Sequence, residues 1–490
     1  MNALAKILIW PEDDDDLLGL ALWDAVELAR AMRGVAVGQF QVSGVEIDSR
    51  DVVPGDLFFA LKGEAMDGHK FVASAFAKGA AAVVVDRPVD GPHILVDDTS
   101  SALELLAAAA RIRTQAQIIG VTGSVGKTGV KEAIFAALDR SSRGNAHRSV
   151  KSYNNHVGVP LSLARTPARS DFAIFEMGMN HAGEIAALTR QVRPHVAVIT
   201  TIAPAHIEML GSEEAIADAK AEIFEGLEGF GGAGGGVAII PADSPHYARL
   251  KDAAEQHKVA AVSFGRAAHA DVRLLDAVPA PGGGSLVTAD LGDRRICYTV
   301  AEPGEHWIAN SLAVMAAVRA VGGDLGAAGL ALAEMQGLKG RGERSKVAAK
   351  SGTALLIDES YNANPASMRA TLAQLGLTPA KRRIAVLGAM KELGAHGPAY
   401  HTALLEPLQA ASADYAILVG DEMAILADEL GKANQSSLGK PVAFAHCSNA
   451  RDAIAVLREF GLEGGDAILV KGSNSVGLGA LVAALAQQKD

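Results

Sequence analysis

The sequence predicts an α/β chain of three domains: a small N-terminal α/β domain over residues 1–112, a central parallel-sheet domain over 113–344, and a C-terminal doubly wound, Rossmann-like domain over 345–490. Three observations lead there. A length of 490 residues, at roughly 150 per domain, fits about three compact units. Hydrophobic residues at 49% against 21% charged can furnish a core in each and exclude a disordered chain. From residue 117 onward, short Val/Ile/Ala-rich runs alternate with helix-length segments, the pattern of parallel strands joined by crossover helices.

In the first domain, LLGLALWDAVELARAM (17–32) has helical character. VSGVEIDS (42–49) and DLFFAL (56–61) read as strands, with Phe58 and Phe59 in the core, and AAAVVVD (80–86) is a third strand ahead of the helix-prone SALELLAAAARIRTQ (101–115). The central domain opens with the strand IIGVTG (118–123), a Gly-rich turn and the helix KTGVKEAIFAALDR (127–140). Strands FAIFEM (172–177) and HVAVIT (195–200) follow, and GFGGAGGGV (229–237) is a turn. DVRLLD, GSLVTAD and RRICYTV, between 271 and 300, look antiparallel and precede a helix over 310–321. Beyond the Gly- and Lys/Arg-rich LKGRGERSK (338–346), the strands TALLIDES, RIAVLG, YAILVG and DAILVKG alternate with helices. No repeat of fixed period is present.

Charge and cysteine usage narrow the function classes. Lys plus Arg total 45 against 56 Asp plus Glu, a net charge of −11, which argues against nonspecific nucleic-acid binding as the main task. Trp10, Trp23 and Trp307 are not interleaved with basic residues, so no nucleic-acid role is expected of them. Cys297 and Cys447 match no metal or redox spacing and are expected as core thiols in a reducing compartment. No apolar run approaches about 18 residues, and the N-terminal segment turns acidic at EDDDD (12–16), read as a solvated turn rather than a metal loop. The expectation is a cytoplasmic protein.

The strongest local signal is GVTGSVGKTG (120–129). A strict phosphate-loop pattern asks for glycine where this chain has Val121, but the chemically necessary parts remain. Gly123, Ser124, Val125 and Gly126 can wrap backbone N–H groups around a phosphate chain, Lys127 supplies a point charge, and Thr128 offers a hydroxyl to Mg²⁺. The helix that follows adds its positive end. The central domain is therefore expected to be P-loop ATPase-like. A carboxylate and an imidazole, Glu176 and His206, stand after two consecutive strands, where such sheets place ligands.

With SYNNHVGVP (152–160), FEMGMNHAGEI (175–185), APAHIEMLGS (203–212), AKAEIF (219–224), GEH (304–306) and GRGER (340–344), the loop resembles the Mur ligases. Within that family, IDESYNANPASM (357–368) and VLGAMKELG (386–394) look most like the members that add D-alanyl-D-alanine to UDP-N-acetylmuramoyl-tripeptide. The folylpolyglutamate synthetases of the same superfamily lack DSR (48–50) and YNANP (361–365) in this form, and a nucleotide switch would leave Glu176, His206 and Lys220 without a task.

What the resemblance implies is an ATP-dependent amide ligase of peptidoglycan precursor synthesis. It would work through an acyl phosphate, release ADP and phosphate, and act as a monomer without nucleic acid or membrane insertion. Lys127, Lys220, His206 and Glu176 would be catalytic. Two Mg²⁺ ions would be held by Thr128, Glu176, His206 and Lys220, the lysine as a carbamate formed from CO₂. Gly123, Ser124, Val125, Gly126, Lys127, Thr128, Asn155, Asn310, Arg341 and Asp358 would bind ATP, with the choice between Asp358 and the adjacent Glu359 open. Ser49 and Arg50 would hold the UDP-sugar, and Tyr361, Asn362 and Asn364 the dipeptide or precursor tail. KGSNS (471–475) matches a family element ending in arginine, but here that position is Asn474, so carboxylate recognition is not carried over. The first domain would grip the UDP-sugar, the second ATP, and the third would close on ATP and bind the dipeptide, with hinges near 112 and 345.

Overall fold

The computed structural model describes residues 21–487 apart from 64–65, 231–234, 282 and 437–440. EDDDD, Trp10, the start of the expected first helix and part of the 229–237 turn lie outside the described residues. The chain forms two compact units, one of residues 1–116 with 156–170, the other of 117–155 with 171–490. Among the described residues no helix is long and apolar enough to cross a membrane.

In the first unit, Asp24 caps the helix Ala25–Met32 with a capping box to Glu27. A five-stranded sheet runs in the order 35–37, 93–95, 82–85, 56–59, 44–46, parallel except for its first pair. Phe58 and Phe59 are both buried, as expected of core strand residues; being adjacent they point to opposite faces of the sheet, so both faces are covered there. The segment 156–170, expected in the central domain, contributes the wholly buried helix Gly158–Ala164, which packs on the helix Thr99–Arg113. Trp23 Nε1 donates to Ala164 O at 2.9 Å, and Arg165 pairs with Glu46, so this loop-back is pinned by polar as well as apolar contacts.

The second unit contains two sheets. The first has nine strands ordered 295–300, 285–290, 272–279, 260–265, 237–241, 196–199, 117–122, 172–176, 146–148. Its strands are parallel from 146–148 through 272–279, and the strands 285–290 and 295–300 add antiparallel as expected, whereas 272–279, grouped with them in the sequence, is antiparallel only to 285–290 and parallel to 260–265. Ile119, Val121, Ile174, Val196 and Val198 form its core with Val130, Ile134 and Leu138 of the helix Lys127–Ser141. The helix expected from 310 starts at Glu305, after Pro303 and Gly304, and is buried along most of its length. Cys447 is buried, but Cys297 is exposed, a correction with a simple cause: it shares the outward face of the strand Arg295–Val300, whose neighbour Tyr298 points inward.

The second sheet has six strands ordered 343–349, 352–359, 467–471, 383–388, 415–419, 443–447, with only the first pair antiparallel. Strand 467–471 inserts between strands that precede it in the chain, which creates a switch point. The loops after 359, 388 and 471 border it. In the nine-stranded sheet the equivalent point is strand 117–122, flanked by 172–176 on one side and 196–199 on the other.

Candidate active site

The loop after the strand Gln117–Thr122 turns sharply into the helix Lys127–Ser141. Gly123 sits at φ +145°, and a Cβ there would fall 1.9 Å from Thr200 Oγ1, so only glycine fits. Thr200 Oγ1 donates to Val125 O at 2.6 Å, and Ser124 N–H donates to Thr201 O at 2.8 Å, pinning the loop to the next strand end. Gly126, at φ +88°, packs against the Asn310 side chain. The result is a rigid cradle whose first helical N–H groups have no intrahelical partner and can face an anion.

Behind the cradle stands a buried carboxylate. Glu176, at the end of the strand Phe172–Glu176, accepts from Thr128 Oγ1 at 2.9 Å and from Asn154 Nδ2 at 2.8 Å. Thr128 Oγ1 also lies 3.3 Å from Ser152 Oγ. Lys127 Nζ donates to Gly123 O at 2.7 Å. Burial pushes the Lys127 ammonium down from the ordinary lysine range, with Glu176 opposing and Arg341 adding to the effect. Lys220, near the end of the helix Glu213–Ala221, is almost wholly buried. Burial pushes it well below the ordinary lysine range, Lys127 adds to this, and Glu222 opposes.

His206 opens the short helix Ile207–Leu210 in a left-handed conformation, and its Nδ1 lies 2.5 Å from Glu392 Oε2. Nδ1 is buried and has no other partner, and a carboxylate oxygen at this distance requires the imidazole proton to sit on Nδ1. The imidazole holds Glu392 below the usual carboxylate range.

These groups line one cleft of about 340 Å³ that also takes in the third expected domain. Ser124, Val125, Gly126, Lys127, Asn155, Glu176, His206, Lys220, Asn310, Arg341, Tyr361, Asn362 and Asn364 all line it, so the structure brings together most of the residues singled out in the second unit. The Arg341 guanidinium stacks 4.1 Å from the Tyr361 ring and donates to Ser152 Oγ at 3.3 Å. Asn364 caps the helix Pro365–Leu377, its Oδ1 accepting from Ser367 N–H at 2.9 Å, and its Nδ2 reaches Ser124 O at 3.5 Å.

Asp358 differs from its expected place. Its carboxylate accepts from Gly340 N–H, Ser360 N–H and the Ser360 hydroxyl, at 3.0, 3.0 and 2.6 Å, and it is not among the cleft-lining residues. Glu359, pointing the opposite way on the same strand, lines the cleft and pairs with Lys471 Nζ at 3.2 Å. Lys471, almost wholly buried, also donates to Asn362 O at 3.0 Å. Ser49 and Arg50 lie in the first unit, on the turn after the strand Gly44–Glu46. Ser49 is buried, and Arg50 is exposed with its guanidinium forked onto Asp48 at 2.6 to 3.1 Å.

Sequence reasoning passed over Lys471 and Trp307; the resemblance turned both Asn154 and Asn155 toward the triphosphate and named Asn155 as the ATP contact, and both line the cleft. KGSNS and YNNH carried the signal for Lys471 and Asn154, whereas Trp307, against which Gly129 packs, had none beyond its place in GEHW.

The Glu176 and Thr128 oxygens converge, and Mg²⁺ prefers oxygen. Among the described residues no cluster of three or more His, Cys, Asp or Glu side chains could hold a metal by itself.

Family models described as "Mur ligase family, catalytic domain", "Mur ligase middle domain" and "Mur ligase, glutamate ligase domain" match residues 41–112, 121–318 and 340–474. A relative from Synechocystis sp., named UDP-N-acetylmuramoyl-tripeptide--D-alanyl-D-alanine ligase, is 38% identical over 458 residues, 91% of this chain and 92% of its own. The Escherichia coli relative of the same name is 37% identical over 383 residues, 78% of this chain and 82% of its own. The crystal structure of MurF from Acinetobacter baumannii matches with a TM-score of 0.78 at 29% identity, covering 95% of this chain and 99% of that one.

Proposed function

The chain belongs to the Mur ligase family, and from that premise we infer that it joins D-alanyl-D-alanine to UDP-N-acetylmuramoyl-tripeptide with consumption of ATP, in peptidoglycan precursor synthesis. The observation that carries the mechanism is the single cleft in which Lys127, Glu176 and Lys220 meet Arg341, Glu359 and Lys471.

A carboxylate oxygen is a poor leaving group, so the tripeptide carboxylate must first be activated. Its oxygen attacks the γ-phosphorus of ATP, the bond to the β-phosphate oxygen breaks, and ADP departs. The free amine of D-alanyl-D-alanine then attacks the acyl carbon, and phosphate leaves from the tetrahedral intermediate as the amine loses a proton. Backbone N–H groups of residues 125–128 would cradle the phosphates, while the Ser124 N–H stays on Thr201 O and fixes the loop. Lys127 follows charge from the transferring group to the leaving oxygen. Arg341, stacked on Tyr361, presents a second cation from the other side of the cleft.

Thr128 and Glu176 would hold the nucleotide's Mg²⁺, and His206 with Lys220 a second, where these cations would neutralise charge on phosphate oxygens. Lys220 is suited to carbamate formation because burial favours its neutral amine: nitrogen bonds CO₂, a proton leaves, and a cation becomes an anion. The proposed division of labour is UDP-sugar binding by 1–112 through Ser49 and Arg50, ATP binding by 113–344, and dipeptide binding by 345–490 through Tyr361 and Asn362. We assign the enzyme to the cytoplasm, as a monomer with no nucleic-acid partner.

The test supplies ATP, UDP-N-acetylmuramoyl-tripeptide and D-alanyl-D-alanine. The expected result is one ADP and one phosphate per ligated product. Release of AMP, or ligation of a single amino acid in place of the dipeptide, would overturn the reading.

A further inference from the structure

Two non-glycine residues in left-handed backbone conformation meet beside the cleft, which His206 lines. His206 (φ +61°) begins a helix, where no such turn is needed, and Glu392 (φ +63°) lies in the loop after the strand Arg383–Gly388. Left-handed backbone at bulky residues persists only where the surroundings enforce it, and it concentrates at functional sites. Here the two side chains face each other, Nδ1 to Oε2 at 2.5 Å. Glu208 N–H donates to Glu392 O at 3.3 Å, and Gly394 packs so closely on Glu208 that a Cβ would stand 3.1 Å from its side chain.

The loop bearing Glu392 is fastened to the C-terminal sheet. Met390 N–H donates to His401 Nε2 at 3.0 Å, Lys391 N–H donates to Ser473 Oγ at 2.9 Å, and Ser473 N–H donates to Ala389 O at 3.2 Å. Lys391 is tied in turn to Glu422. Glu392 therefore reports the position of the whole sheet. The Glu392 side chain is half-exposed, and an ion pair with one exposed partner adds little net stability, so stability does not account for the strained backbone on both sides.

We propose that Glu392 is a positioning residue. By occupying His206 Nδ1 it leaves only Nε2 to face the cleft, and it does so only while the C-terminal sheet is seated against the turn 206–210. A carboxylate behind an imidazole fixes the tautomer and ring direction of a metal-binding histidine. The proposal rests on the metal-assisted ligase reading above.

The experiment uses the full chain and the variants Glu392→Ala, Glu392→Gln, His206→Ala and Glu392→Ala/His206→Ala. Mn²⁺ binding in the presence of the β,γ-imido analogue of ATP is followed by electron paramagnetic resonance, alongside steady-state ligation. Glu392→Ala is expected to weaken Mn²⁺ binding by about tenfold and to lower kcat by about 10- to 100-fold. Glu392→Gln, whose amide oxygen can still accept from Nδ1–H, recovers most of both. In the His206→Ala background the loss of Glu392 changes nothing further. Wild-type Mn²⁺ binding by Glu392→Ala, additive losses in the double variant, or failure of Glu392→Ala to fold would overturn the proposal. A wild-type protein that shows this Mn²⁺ pattern yet makes no dipeptide product would sink the functional reading and leave the positioning role standing.

Discussion

Lys127 and Lys220 occupy one cleft but perform different electrostatic tasks, and substitution separates them. Lys127→Ala removes the cation held at the cradle and is expected to lower kcat by about 10³-fold, measured by coupled ADP release, while the melting transition, read by calorimetry, stays near that of the wild type. Lys220→Ala should abolish a carbamate ¹³C resonance that appears when the wild-type protein is given labelled bicarbonate, and should lower turnover with it. A resonance of equal intensity in the variant would sever the modification from Lys220. GKT marks Lys127 by its own chemistry, whereas Lys220 stood out only through the family resemblance of AKAEIF, since by itself it reads as a solvated helix lysine. Asp358 and Glu359 were not separable, because neighbours on a strand face opposite ways and the direction is decided by which sheet face meets the cleft.

Asn364 joins a helix to the cradle. Its side chain caps Pro365–Leu377 and reaches Ser124 O. Asn364→Ala is expected to destabilise the protein by about 1 kcal/mol through loss of the cap, and Asn364→Ser to restore that stability, both read from chemical unfolding. If the serine variant recovers stability but not dipeptide KM, the amide contacts substrate as well. Most elements of this kind could be read in advance: the strand–turn–helix at 117–141 and the hairpin strands up to Val300 follow from periodicity. The helix from Glu305 begins earlier than its apolar pattern suggests because Gly304 breaks the preceding loop, a backbone effect that apolar periodicity does not register.

Across the second unit, carboxylates gather where the two sheets meet. Glu302 and Glu359 both approach Gly342, with Oε atoms 3.5 and 3.6 Å from where its Cβ would stand. Burial pushes Glu302 up to about 7; Arg344 opposes, Glu359 adds to the rise, and the Gly337 N–H opposes. A carboxyl that holds its proton more tightly when folded favours folding below the ordinary carboxylate range. That contribution, roughly 3 kcal/mol, is lost as the pH climbs to about 7. Glu302→Gln should therefore flatten the fall in thermal stability between about pH 5 and pH 7.5, relative to wild type across the same buffers. An identical slope in both proteins would place the titration elsewhere.

The cleft itself was legible because its motifs lie at strand ends, whereas the return of 156–170 to the first unit was not. That return depends on the apolar GVPLSLA meeting a distant helix rather than on any local signal. The polypeptide consequently passes between the units at 116–117, at 155–156 and again at 170–171. During synthesis, the N-terminal layer stays incomplete until the ribosome has emitted Arg165 to close on Glu46. By then the phosphate-binding turn has already left the exit tunnel, so neither module can mature as a separate early product, and a gene cut at residue 116 would release the helix Thr99–Arg113 without the helix Gly158–Ala164 that packs on it.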